Sequence, residues 1–274
     1  MWGGRIVIMK RFLLYIRLFG AYVSNSVKMR LTYREDFLSG FVAGVMNQLI
    51  GVLFVATIFV RVPDIKGWHR EEVFFIYGFA QLTLGLFFVF CSNLLDLSER
   101  YIVEGRFDQV LVRPLNSLFQ VLTERIYWEE SSVALVGLAI MLYSARRLGL
   151  EAGPAQCLAT AGLVLSASLI LLGIFVILGS ATFWFNDRGG ASSLMLVLQG
   201  FSQYPATIYG RTIRLVLTLV IPYAFTAFYP AMHLLGRREF SAYTWSTPAV
   251  AAVVMAVGLA AWHFGTRAYE STGS

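Results

Sequence analysis

The sequence predicts an all-α, polytopic membrane protein with about six transmembrane helices, and three observations predict it. Apolar residues make up 57% of the chain and charged residues only 14%, a balance suited to lipid rather than water. The charges gather in short clusters. Between them, no Asp, Glu, Lys or Arg occurs in 37–60, 73–95, 152–185, 189–210, 215–236 or 240–266. A helix rises about 1.5 Å per residue, so roughly 20 apolar residues cross a hydrocarbon core about 30 Å thick. A chain of 274 residues is too small to bury six such helices in a water-soluble core.

The elements follow in order. Residues 1–36 read as a cytoplasmic N-terminal segment. Arg5, Lys10, Arg11 and Arg17 interrupt its apolar residues, so no continuous core of signal-peptide type forms. Phe12, Leu13, Tyr15, Ile16, Phe19 and Tyr22 alternate with these bases, a pattern suited to an interfacial helix lying along the headgroups. Residues 37–274 form one transmembrane domain, with spans at about 37–60, 73–95, 126–145, 157–183 and 247–265 and one more within 186–232. The third span is complete only if Ile126, Tyr127 and Trp128 continue the helix. A charge at the membrane centre costs about 2.5 to 3.5 kcal/mol, so Glu129 and Glu130 belong at a helix end or against protein.

Pro205, Pro222 and Pro230 break residues 189–236 into pieces, and only an odd number of crossings fits there. One reading makes 191–209 an interfacial helix and 213–232 the fifth span. The other makes 186–204 the span and 208–232 a re-entrant hairpin, which needs cover from protein or water. With the N-terminus inside, thirteen of the 22 Lys and Arg, Arg188 among them, fall on the cytoplasmic side and seven outside, with Arg211 and Arg214 unassigned. That asymmetry puts both termini in the cytoplasm.

The connector 96–125 is then cytoplasmic. It mixes Asp96, Glu99, Glu104, Asp108 and Glu124 with Arg100, Arg106, Arg113 and Arg125. Tyr101, Ile102, Phe107, Val110 and Leu111 recur at spacings near three and four, which predicts an amphipathic helix ended by Pro114. A surface loop resting on headgroups is the plain alternative.

Catalytic chemistry is missing. The spans carry no acid pair, His69, His233 and His263 lie at edges, and no metal-ligand spacing occurs. Cys91 and Cys157 sit in apolar runs as ordinary packing residues. The three lysines, Lys10, Lys28 and Lys66, belong to no phosphate loop. The chain is therefore no enzyme, and any ATP hydrolysis happens on another polypeptide. Bases that flank apolar runs are topology signals, so nucleic acid is not a partner. What the spans do offer is uncharged polarity. Asn47, Gln48, Gln81 and Thr83, with Ser166, Ser168 and Thr182, suit interhelical hydrogen bonds or a pathway lining. Gly40, Gly44 and Gly51 permit close helix approach.

The connector Val103-Glu104-Gly105-Arg106-Phe107-Asp108-Gln109-Val110-Leu111-Val112-Arg113-Pro114-Leu115, the pair Gly67-Trp68, and Ile221-Pro222-Tyr223-Ala224-Phe225 with Phe228-Tyr229-Pro230-Ala231 resemble the permease subunits of bacterial ATP-binding-cassette exporters of the second exporter class. The resemblance covers nearly the whole chain from about Lys10. It implies a coupling helix within 98–115 that docks on the ATPase through Glu104, Gly105, Arg106, Asp108, Arg113 and Pro114. It favours a fifth span at 186–204 and a re-entrant hairpin at 208–232. It also implies a second permease, identical or a sister, ATP and Mg bound by a partner ATP-binding subunit, and a place among the lipids of the bacterial plasma (inner) membrane. Two readings compete: a membrane scaffold that moves nothing, and a gradient-driven carrier acting alone.

Overall fold

The computed structural model describes residues 2–151, 153–185 and 190–270. Arg188 and the start of the 186–204 segment lie outside the described residues, as do the side chains of Arg5, Lys10, Arg11, Phe12 and Ser192. The fold is all-α and polytopic. Its long helices are α1 (Trp2–Thr32), α2 (Arg34–Arg61), α3 (Arg70–Cys91), α6 (Ser131–Arg147), α7 (Pro154–Ala181) and α11 (Ser241–Ala268). Short elements fill the gaps: a hairpin of β1 (Asp64–Ile65) and β2 (Trp68–His69), then α4 (Phe107–Val112), α5 (Ser117–Thr123), α8 (Gly190–Gln199), α9 (Arg211–Leu215) and α10 (Phe228–Ala231).

Four stretches are long and apolar enough to cross a membrane: Arg34–Arg61, Arg70–Val103, Pro154–Ala181 and Arg238–Ala268. A fifth arises if Ser117–Thr123 and Trp128–Arg147, bent by 70°, count as one span. The third crossing differs from its sequence reading. Tyr127 donates its backbone N–H to Val89 O at 3.0 Å, so Ile126 and Tyr127 leave the helix, which opens instead with a 3₁₀ turn at Trp128–Glu130. Glu129 faces protein, paired with Arg30 at 2.9 Å.

The stretch after α7 is more broken than one span. At about 1.5 Å per residue α8 is about 15 Å long. The 3₁₀ turn Gly200–Gln203 extends it only to Tyr204, which is extended (φ −123°) ahead of Pro205, as the residue before a proline tends to be. Beyond lie a 3₁₀ turn at Ala206–Ile208, α9, a π-helical turn at Val216–Val220, a 3₁₀ turn at Tyr223–Thr226 and α10. Tyr223, Ala224, Phe225, Ala227, Phe228 and Tyr229 are buried, so protein covers the irregular backbone that lipid would not tolerate.

The core forms around α3, which packs on α6 along one side and on α7 along another, while α7 packs on α11. Lipid offers helices no hydrophobic reward for meeting, so close van der Waals contact has to hold them. Glycines supply it. A Cβ at Gly78 would stand 2.6 Å from Met141 N and one at Gly173 2.8 Å from Val254 Cγ1. Gly40, Gly44 and Gly51 of α2 face Glu129, Ser132 and Tyr77.

Helices running back and forth leave two ends. One carries the connector between α3 and α6, with the C-terminal ends of α7 and α11. At the other the β-hairpin grips the broken segment: Trp68 Nε1 donates to Thr207 Oγ1 (2.7 Å) and Lys66 Nζ to Ile208 O (2.8 Å). There Arg237 pairs with Glu72 at 2.7 Å and lies over the Trp68 ring, 4.9 Å from its centroid.

Candidate functional site

The connector is two-faced. After α3, a 3₁₀ turn at Ser92–Leu94 and a π-helical turn at Leu97–Val103 carry the chain out of the span. They bury Leu97, Tyr101 and Ile102 beneath, and α4 then buries Phe107 and Val110. Gly105 separates the two pieces with φ +70°, a conformation glycine adopts without steric cost. The single amphipathic helix read from the sequence up to Pro114 is thus a π-helical turn followed by α4, with α5 beyond Pro114. Tyr101, Ile102, Phe107 and Val110 keep their spacing across the break because both pieces turn the same side inward, and Leu111 is left outside.

Phe107 anchors the underside. It is fully buried, its ring centroid 5.0 Å from Phe183, 5.1 Å from Tyr269 and 6.1 Å from Trp262. These rings belong to the ends of α7 and α11, and edge-on aromatic pairs add about 0.5 to 1.5 kcal/mol beyond area burial. Polar ties reinforce the packing. Trp262 Nε1 donates to Ser117 Oγ at 2.9 Å. Gln120 Nε2 donates to the carbonyls of Val110 and Leu115, both at 3.0 Å, fastening α5 to α4. The Tyr101 hydroxyl donates to Glu124, which Arg100 also holds at 2.8 Å. The fully buried Asn93 donates to Leu122 O (3.3 Å) and Arg125 O (2.8 Å).

Helix α1 reaches the same end. Asn116, which caps α5 by accepting from Phe119 N, gives its own N–H to the Tyr15 hydroxyl at 3.0 Å, and the Tyr15 ring meets Phe119 edge-on at 4.9 Å. Further along, Trp128 Nε1 donates to Ser26 Oγ at 2.7 Å. Leu13, Leu14, Ile16 and Phe19 of α1 stay exposed, in keeping with a helix lying in the headgroup layer.

The top of the connector is open. Glu104, Arg106, Gln109, Arg113 and Pro114 are exposed, while Gly105 and Asp108 are half-buried. Glu104 and Arg106 pair at 3.0 Å, each side chain 49% exposed, where an ion pair adds between nothing and about 1 kcal/mol. Among these charges stand Leu111 and Val112, the latter 85% exposed. An apolar centre ringed by charge is the anatomy of a protein-docking patch.

The candidate pathway residues are not gathered in one place. Asn47 is exposed on α2, and Gln48 beside it accepts from the Tyr77 hydroxyl at 3.5 Å. Gln81 is buried where α3 meets α6, its Oε1 without a hydrogen-bond partner. The Thr83 hydroxyl turns back to Phe79 O at 3.0 Å, and its carbonyl accepts from Ser168 at 3.4 Å. Sequence reasoning missed Tyr15, Asn93, Phe183, Trp262 and Tyr269. Aromatic residues at the ends of apolar runs read equally well as interfacial belts, and nothing local says that three of them converge on Phe107. Among the described residues no group of His, Cys, Asp and Glu could hold a metal ion.

The family model described as ABC-2 family transporter protein matches residues 45–273, from within α2 to beyond α11. No curated protein and no solved structure matches the chain.

Proposed function

This chain belongs to the ABC-2 family of transporter proteins, and on that premise we propose that it is the permease of an ATP-driven exporter, energised through the connector between α3 and α6. At the coarser level it is a membrane-embedded permease component of an ABC transporter. In the proposal, a separate ATP-binding subunit binds ATP and Mg²⁺ and docks on Glu104, Arg106, Asp108, Leu111, Val112 and Arg113. A second permease, a copy of this chain or a sister, completes the pathway, to which Asn47, Gln48, Gln81 and Thr83 contribute. The connector faces the cytoplasm of a bacterial plasma membrane, in line with the excess of Lys and Arg on that side.

The observation that carries this reading is the two-faced connector: Phe107 is fully buried whereas Val112 is 85% exposed. A force applied to the exposed side enters a body of packed rings. Through Phe183 and Trp262 it reaches the ends of α7 and α11. Packed elements of this kind move as units rather than deform, which suits a lever that converts closure of the ATPase into a shift of the spans.

Charge reversal tests the docking. In the complex with its ATP-binding subunit, Arg106→Glu reverses an exposed charge that the patch presents to its partner, and reversing a charge at an interface weakens association. Stimulation of ATP hydrolysis by the permease should fall about tenfold, equivalent to about 1.4 kcal/mol, while thermal unfolding stays unchanged. Undiminished stimulation with intact transport would remove the connector from the role.

A further inference from the structure

A groove of about 550 Å³ opens between α3, α6 and α7, away from the connector. Its walls are almost wholly apolar, among them Leu82, Leu86, Leu138 and Leu165, and its polar groups stand at one end, where Arg146, Cys157 and Thr160 line the mouth. Leu142 and Leu165 on its flanks are 50% and 62% exposed, so the groove is open sideways to the bilayer. From Leu138 to Arg146 the depth is about 12 Å, from the helical rise of about 1.5 Å per residue, close to the half-thickness of a hydrocarbon core about 30 Å across. The mouth lies at the end of α6, on the side of the β-hairpin.

We propose that this groove is a binding site for one anionic phospholipid of the leaflet opposite the connector, with an acyl chain along α6 and α7 and the headgroup phosphate on Arg146. A guanidinium presents several donors in a planar fork that matches a phosphate, and no carboxylate among the described residues forms an ion pair with Arg146. Arg147 next to it does not line the groove and has Glu71 within electrostatic reach, so Arg146 is the base that faces the groove. Charge at headgroup depth above one leaflet's length of apolar wall matches the polarity of a lipid along its own axis, and neither a soluble anion nor an apolar helix face shares that pattern. The inference goes beyond the permease reading and stands whether or not that reading holds.

The exposed Cys157 at the mouth, which is in no disulfide, is a built-in reporter, and the buried Cys91 is an internal control. The full chain in phosphatidylcholine nanodiscs, with and without phosphatidylglycerol, is alkylated with a water-soluble maleimide. Phosphatidylglycerol should slow Cys157 about tenfold, and Arg146→Gln should abolish the difference. In native mass spectrometry, Ala161→Phe, which fills the groove, should lose the phosphatidylglycerol adduct that the wild type retains. Equal rates in both lipids would overturn the proposal. So would equal protection in both, the mark of a protein partner over the groove, and so would protection by soluble glycerol phosphate alone. The mass spectra test the wild-type chain as well: no retained phosphatidylglycerol adduct is an equally decisive failure.

Discussion

The two ends of this molecule are both built from short, broken helices, yet they use charge in opposite ways. At the hairpin end, Glu72 is buried and held by Arg237, which also lies over Trp68, and the loop is tied to the broken segment by Trp68 and Lys66. Charge there closes the structure. At the connector end most of the fastening is done by rings and amides, through Phe107, Trp262, Gln120 and Asn93, with one ion pair of Arg100 and Glu124, and the charges of Glu104, Arg106 and Arg113 are left on the surface. The hairpin end spends the polar groups of Glu72, Arg237, Trp68 and Lys66 on itself. The connector end keeps those three charges for a partner.

Substitutions can break this contrast, starting with the largest effect. Phe107→Ala removes a fully buried ring and should cost about 3 to 5 kcal/mol of stability, seen as a lowered midpoint of thermal unfolding in detergent. It should also uncouple transport from ATP hydrolysis, because the link to α7 and α11 is gone. At the hairpin end, Glu72→Ala removes both the partner of Arg237 and the side chain that accepts from His69 N at 3.0 Å. Breaking a fully buried pair costs about 3 to 5 kcal/mol, but the Arg237 side chain is 36% exposed, so a loss of about 2 kcal/mol is expected. Glu72→Gln keeps an acceptor for the cap and should lose less by the same measurement. Equal losses would mean that the cap contributes nothing.

The smallest stability effect sharpens the contrast most. Val112→Ser alters a side chain that touches little, so the unfolding midpoint should move by less than the equivalent of about 0.5 kcal/mol. Binding of the ATP-binding subunit should nevertheless weaken by about 1 to 2 kcal/mol, the range of an apolar interface residue, measurable by titration of the purified partners. A stability loss without a binding loss would make Val112 a packing residue of the permease.

How much of this was legible in the sequence depended on whether a signal was local. The uncharged runs identified the helices now seen as α2, α3, α7 and α11, because absence of charge over about 20 residues is read directly. The broken regions were legible only as broken. Pro205 and Pro222 announced interruptions, yet the placing of 3₁₀ and π turns between them rests on tertiary cover from residues such as Tyr223 and Phe228. In the connector, apolar spacing indicated the buried side for Tyr101, Ile102, Phe107 and Val110 but not for Leu111, which is exposed, and it missed the turn at Gly105. The contacts of Tyr15 with Asn116 and of Phe107 with Phe183 and Trp262 join residues far apart in the chain, and no periodicity reports such pairs.

The account's central claim is that the connector end, and not the hairpin end, receives the ATP-binding subunit. A photo-crosslinking amino acid placed at Val112, and separately at Lys66, in cells that carry the whole complex measures this directly. Irradiation should join the ATP-binding subunit to the chain from position 112 and not from position 66. A crosslink from position 66, or none from 112 in a complex that still transports, would contradict it.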